Sequence, residues 1–261
     1  MNDALYIAAT GMQAHQRSVE TIANNLANVN TSGYKKARVS FSDLVYRSIN
    51  GTSPLGADGL PSTQLLQGSG VGISAITKDF RSGELRQTGH PFDFSVEGAG
   101  LIELDSADGN PLFIRSGTFG VDKDGFLTAA DGIPVKPSIH VGIDVSEFVV
   151  TGDGLVKVRA RAQDPLLEAG RLDLVRFPDV TGLAAASGGA YHATERSGEP
   201  IRGQAGDDGI GLFHQGQLES SNVNLTEEMV ALMTAQRAYE SSVKLIQATD
   251  EMMSMSNNLR K

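Results

Sequence analysis

His15, His90, His140, His192 and His214 are the side chains of this 261-residue chain best suited to hold a metal or move a proton, and none stands at ligand spacing from a second histidine. They read as solvated or structural groups. Asp122-Lys123-Asp124-Gly125 opens like a calcium loop, but its glycine falls at the fourth position instead of the sixth, and Ile133 occupies the place of the closing glutamate. Gly68-Ser69-Gly70-Val71-Gly72 and Gly98-Ala99-Gly100 have the glycines of phosphate loops without the lysine or the strand-to-helix setting that such loops need. No serine lies in a Gly-x-Ser-x-Gly elbow. The chain has no cysteine, which excludes thiolate catalysis, cysteine-ligated metals and disulfides. No catalytic, cofactor-binding or metal site is assigned, and the chain is not expected to be an enzyme or to need a cofactor.

The formal charge of −9 opposes phosphate backbones, so nucleic acid is not an expected partner. No apolar run approaches the roughly 20 residues of a membrane span, and no basic-then-apolar leader opens the chain. No membrane insertion is expected, and export, if it occurs, is expected without a cleavable signal. Thirty glycines against 6% aromatics and no tryptophan favour turn-rich β-structure in part of the chain.

The elements that would position any function divide the chain into ends and middle. Leu5, Met12, Val19 and Leu26 repeat every seven residues, as do Ala8, His15, Ile22 and Val29, which predicts a helix with one coiled-coil seam ending near Val29. Asn28 to Gly33 supply the stop and the turn. Leu225, Leu232, Tyr239, Ile246 and Met253, with Met229, Gln236, Val243 and Asp250, repeat the pattern at the other end. Asn224 with Glu227 three residues on forms a capping box there, and a helix from Leu225 to about Asn257 would be roughly 50 Å long.

Between the ends, β-prone runs at Phe92 to Val96, Leu101 to Leu104, Pro111 to Ile114 and Leu172 to Phe177 alternate with Asp-Gly turn pairs at Asp108, Asp124, Asp131 and Asp153. The expected fold class is α+β, with terminal helices paired as an antiparallel coiled-coil-like hairpin and a central all-β domain. The expected division is 1–30 for the N-terminal helix, 31–69 for an extended connector, 70–216 for the β-domain and 217–261 for the C-terminal helix.

A two-helix hairpin buries one stripe of each helix and leaves the rest of its apolar surface wet, here Ile7, Ala9, Ala23, Ala231, Ala235, Ala238, Leu245, Ala248 and Met252. Identical copies packed side by side would cover it, in a ring or a helical filament. The alternative is that both helices dock on the β-domain as an α+β monomer. Asn24, Asn25, Asn28 and Asn30 are read as amides that set register across subunits or against the opposing helix.

Ile22-Ala23-Asn24-Asn25-Leu26-Ala27-Asn28-Val29-Asn30-Thr31-Ser32-Gly33-Tyr34-Lys35 resembles the N-terminal signature of flagellar rod, hook and hook-associated proteins. Ser221-Asn222-Val223-Asn224, Glu227-Glu228-Met229-Val230 and Gln236-Arg237-Ala238-Tyr239-Glu240 are similar to the family's C-terminal signature. Between them, Gly83 to Gly89, Phe92 to Gly100, Arg115 to Phe119 and Asp124 to Leu127 match in style, with Leu101-Ile102 departing where the family usually has two aromatic residues. The resemblance implies a structural axial subunit that assembles with itself. Its implied partners are other rod proteins, the hook protein, the surrounding ring proteins as a bushing and the flagellar export apparatus, at a basal body spanning the periplasm. The stretch after Phe41-Ser42-Asp43-Leu44-Val45-Tyr46, through about Thr63, resembles the distal-rod branch, with the proximal-rod branch as the alternative.

Overall fold

The computed structural model describes residues 2–49, 65–106, 109–161, 163–207 and 209–258. Two compact units emerge, one made of residues 1–26, 37–77 and 224–261, the other of residues 27–36 and 78–223.

The first unit holds both long helices, α1 (Asn2–Ala27) and α2 (Leu225–Asn258). Seven-residue apolar spacing makes each helix one-sided, and their ends follow from local chemistry. Asn224 caps α2, its Oδ1 accepting from the amides of Thr226 at 3.0 Å and Glu227 at 3.4 Å. Past α1, Gly33 takes φ +71°, a conformation that strains other residues. The same unit contains β1 (Ala37–Asp43), β2 (Tyr46–Ile49), β3 (Leu65–Gly68) and β4 (Val71–Lys78). β1 pairs with β4 and β2 with β3, so part of the stretch expected as connector is a β-ribbon. Residues 50–64 of that stretch, which hold most of the distal-rod-type insertion, lie outside the described residues.

The helices run antiparallel. Asn25 meets Glu228 at one end, and a Cβ on Gly11 would stand 3.9 Å from Ser242 Oγ farther along. On α1 every predicted seam position, Leu5, Ala8, Met12, His15, Val19, Ile22 and Leu26, is buried or half-buried. On α2 the inward stripe differs from the predicted one. Leu232, Val243, Ile246 and Met253 are half-buried as the spacing implies, but Glu228, Ala235 and Thr249 are the fully buried positions. Leu225, Met229, Gln236 and Tyr239 point outward. Ala231 and Ala238, expected to stay wet, are half-buried and Ala235 is 8% exposed. Gly11 faces Ser242, and the fully buried Glu228, Ala235 and Thr249 each stand one position before the predicted Met229, Gln236 and Asp250, so the inward stripe is turned by one residue at these points.

The second unit is all-β apart from two short 3₁₀ turns. Its strands are β5 (Leu85–Gln87), β6 (Asp93–Glu97), β7 (Leu101–Leu104), β8 (Leu112–Ile114), β9 (Ser116–Val121), β10 (Leu127–Ala129), β11 (Glu147–Val150) and β12 (Leu155–Arg159). β13 (Leu167–Arg171), β14 (Asp173–Arg176), β15 (Ala184–Ala185), β16 (Tyr191–His192), β17 (Ile201–Gln204), β18 (Leu212–Gln215) and β19 (Gln217–Glu219) follow. They form sheets in the orders β10-β9-β6-β18, β11-β12-β13, β15-β16-β8-β7-β14-β17 and β19-β5. β6, β7, β8 and β14 lie on the four predicted β-prone runs. A core built on Phe94, Ile102, Leu104, Leu127, Ile139, Val156, Leu172 and Leu174 fills this unit, with a second cluster at Leu101, Phe113, Val175, Phe177 and Tyr191. Leu101 and Ile102 are 3% and 0% exposed, so aliphatic side chains serve where the family usually has aromatic ones.

Three of the predicted Asp-Gly pairs make the same turn. The amides of Gly125, Gly132 and Gly154 donate to the carbonyls of Asp122, Ala129 and Thr151, and the amides of those three residues donate to the carbonyls of Phe126, Ile133 and Leu155. Each aspartate keeps negative φ while each glycine is left-handed, at +76° to +82°. These are three-residue type I turns with a glycine bulge, not two-residue primed turns, because only the glycine adopts positive φ.

Candidate assembly interface

The residues singled out from the sequence separate into a buried junction and an outward helical face. Asn25, 1% exposed, sits on β1: its Nδ2 donates to Ala37 O at 2.9 Å, its Oδ1 accepts from Ala37 N at 2.8 Å, and its Nδ2 also reaches Glu228 Oε2 at 3.1 Å. This amide therefore sets register within the chain, joining α1, β1 and the first turn of α2. In the all-β unit, Asn222 plays a like part. Its Oδ1 accepts from Lys36 N at 2.7 Å, and its Nδ2 donates to Asp79 O at 2.8 Å and Arg81 O at 3.1 Å. Val29, Asn30 and Ser221 line a cleft with Arg86, Thr88 and Leu218, and Val223 is buried. Asn28 takes part in the turn, its carbonyl accepting from Thr31 N and its Oδ1 from the Thr31 hydroxyl at 3.2 Å. Asn24 is exposed on α1.

Beside Asn222 lies a charge network that sequence reasoning missed. Lys35 Nζ stands 2.6 Å from Glu219 Oε1 with both side chains at most 1% exposed, and it donates to Arg81 O at 2.9 Å. Glu219 also accepts from Gly83 N at 2.7 Å and from Arg115 Nε at 2.8 Å. Arg115 spends its other nitrogens on Gly98 O at 2.6 Å, Ser82 Oγ at 2.9 Å and Gly100 O at 3.4 Å. Burial pushes the Lys35 ammonium below its ordinary range against the opposing pull of Glu219. Lys78 is lowered by burial as well; it donates to Lys35 O at 3.1 Å and lies 4.3 Å from the centre of the Tyr34 ring. Nearby, burial raises the Tyr191 phenol to about 12. The residues carry this chemistry as structure. Each polar atom of the network is spent on a neighbour that fixes where the segment around Lys35 and the strand β19 run.

The helical face is of the opposite kind. Among the described residues, fourteen of the twenty-one large hydrophobic side chains that are more than a third exposed belong to the helix-bearing unit. They include Tyr6 and Ile7 on α1, Phe41, Ile73 and Ile76 on the ribbon, and Leu225, Met229, Val230, Met233 and Leu245 on α2. Among the described residues, the hydrophobic side chains this unit buries fully are all alanines: Ala8, Ala14, Ala37 and Ala235. No three metal-ligating side chains converge among the described residues, and no described helix is long and apolar enough to cross a membrane.

A helical hairpin that closes no large core, joined in one chain to a well-packed β-unit, defines a structural subunit. Three family models match: "Flagella basal body rod protein" over residues 5–35, "Flagellar hook protein FlgE/F/G D1 domain" over 95–158, and "Flagellar basal body rod FlgEFG protein C-terminal" over 214–259. Over the whole length of both chains it is 36% identical to the flagellar basal-body rod protein FlgG of Borreliella burgdorferi. It is 37% identical to that of Agrobacterium fabrum, over 98% of this chain and 99% of the other. In Caulobacter vibrioides it is 33% identical to FlgG, over 98% of this chain and 99% of the other, and 28% identical to FlgF, over 97% and 95%. The chain belongs to the flagellar basal-body rod family, as a structural subunit and not an enzyme. Membership implies a place in the flagellum and assembly with other rod and hook components.

Proposed function

We propose that this chain polymerises helically with its own copies to form the distal rod, the rigid shaft between motor and hook, using the outward faces of α1, α2 and the β1–β4 ribbon. The observation that supports it is that, among the described residues, this unit fully buries no hydrophobic side chain larger than alanine while leaving fourteen large apolar side chains exposed. Such a surface is unfavourable in a lone subunit, and a ring of identical neighbours removes it from water at about 25 cal/mol per Å². Leu225, Met229 and Tyr239 are available to neighbours, whereas Leu5, Met12, Val19, Ile22, Leu232 and Ile246 hold the hairpin that presents them. Greater similarity to FlgG than to FlgF of one organism favours the distal over the proximal rod. On this reading the ring proteins act as a bushing, the export apparatus delivers the chain without a cleavable signal, and the rod crosses the periplasm.

Sedimentation of purified chain over a wide concentration range tests the reading. Polymer should form as concentration rises, and Met229→Asp with Met233→Asp should stay monomeric with an unchanged β-unit. A chain that remains monomeric at every concentration overturns self-assembly. Motor images of a deletion strain test the location, and an intact distal rod overturns it.

A further inference from the structure

All seven methionines fall in the helix-bearing unit, the β-unit holds none, and the chain has no cysteine. Every sulfur a two-electron oxidant could reach is therefore on one unit. Met229, Met233, Met252 and Met255 on α2 are 50%, 51%, 52% and 58% exposed. Thioether oxidation follows exposure, so among the described methionines these four are the reactive set, while Met12 and Met253 are half-buried.

We propose that α2 is an oxidation-sensitive face. Peroxides convert these exposed thioethers to sulfoxides in the free subunit, and the oxidised subunit no longer joins the polymer. The inference rests on the reading of this face as the assembly surface. In the reaction a sulfur lone pair attacks one peroxide oxygen, the S–O bond forms and the O–O bond breaks. The sulfur is oxidised by two electrons, and the departing hydroxide takes up a proton to leave as water. Methionine suits an interface because its unbranched side chain fills irregular gaps. The sulfoxide replaces that apolar end by a strong acceptor, which is unfavourable in a packed face without a donor. The oligomeric state would then decide the sensitivity: packed neighbours shield the sulfurs that the free subunit exposes.

The test treats the full-length chain with hydrogen peroxide, maps sulfoxide by mass spectrometry of α2 peptides, and measures polymer by sedimentation. Oxidation of the four methionines should raise the concentration needed for assembly by roughly tenfold or more. The β-unit should keep its protease resistance, and methionine sulfoxide reductases should restore assembly. A chain carrying Met229→Leu, Met233→Leu, Met252→Leu and Met255→Leu should assemble equally with and without peroxide. Undiminished assembly of chain fully oxidised at the four sites overturns the proposal, as does an inhibition that reductases do not reverse. Sulfurs that react as fast in polymer as in monomer show instead that the face stays in solvent, which sinks the assembly reading itself. Shielded sulfurs in polymer, with undiminished assembly of oxidised monomer, sink the oxidation proposal alone.

Discussion

Lys35 and Glu219 meet at 2.6 Å with neither side chain reaching solvent, and 184 residues of chain separate them. Burying both charges is costly, and the arrangement holds because Glu219 is shared with Arg115 and Gly83. Removing the shared carboxylate therefore leaves two buried cations, whereas removing the lysine leaves an ion pair intact. Glu219→Leu should destabilise the β-unit by about 3–5 kcal/mol, and Lys35→Met by clearly less. Urea unfolding followed by circular dichroism measures both. Equal losses would show that Arg115 does not depend on Glu219.

Inward and outward positions of α2 should respond differently. Ala235 is 8% exposed, so Ala235→Leu should overpack the hairpin at about 1–3 kcal/mol, whereas Met229→Lys on the outer face should leave monomer stability within about 0.5 kcal/mol. Ile22→Asp and Leu232→Asp place a carboxylate in the half-buried hairpin seam and should abolish assembly without unfolding the β-unit. Protease resistance together with sedimentation separates these outcomes. Loss of β-unit resistance in the two aspartate variants would favour a monomeric core that includes the helices.

The glycine turns grade by what surrounds them. At Gly154, with φ +82°, an added Cβ would run into the carbonyl oxygen of Leu172 and the ring of Phe213, whereas at Gly132, with φ +76°, it meets open space. Gly132→Ala should cost about 1–2 kcal/mol from backbone strain alone, and Gly154→Ala distinctly more. Asp124→Asn should be nearly silent, since asparagine suits the same turn position. Thermal unfolding ranks the three, and a Gly132→Ala variant as unstable as Gly154→Ala would refute the steric account.

Glu103 supplies a pH dependence. Hydrogen bonds from Arg202, at 2.7 and 2.9 Å, hold its carboxyl below the ordinary 4.5, with Lys136 at 3.3 Å adding to the effect and burial opposing it. The folded chain then binds fewer protons than the unfolded chain across that interval. The contribution is full above 4.5 and is lost as pH falls through the depressed folded value. Arg202→Met should lower the melting temperature at pH 7 and flatten its fall below pH 4.5. An unchanged acid limb would remove Arg202 as the cause.

Local pattern alone determined much of this protein. Seven-residue spacing marked both helices, Asn224 marked the start of α2, four apolar runs marked strands, and Asp-Gly pairs marked turns, because each signal is written within a few neighbouring residues. The signatures at the two ends pointed to the flagellar axial family in the same way. Turn type was not legible, since Asp-Gly serves both primed turns and type I turns with a bulge, and strand register chose between them. Nor was the inward line of α2, because seven-residue spacing accommodates two adjacent lines, and packing in the folded chain buried Glu228, Ala235 and Thr249, each one position before the predicted Met229, Gln236 and Asp250. Asn25 with Glu228, 203 positions apart, and Lys35 with Glu219 leave no trace in local periodicity. Tertiary structure decided those pairs, since a buried charge or amide is tolerable only where the folded chain brings its partner.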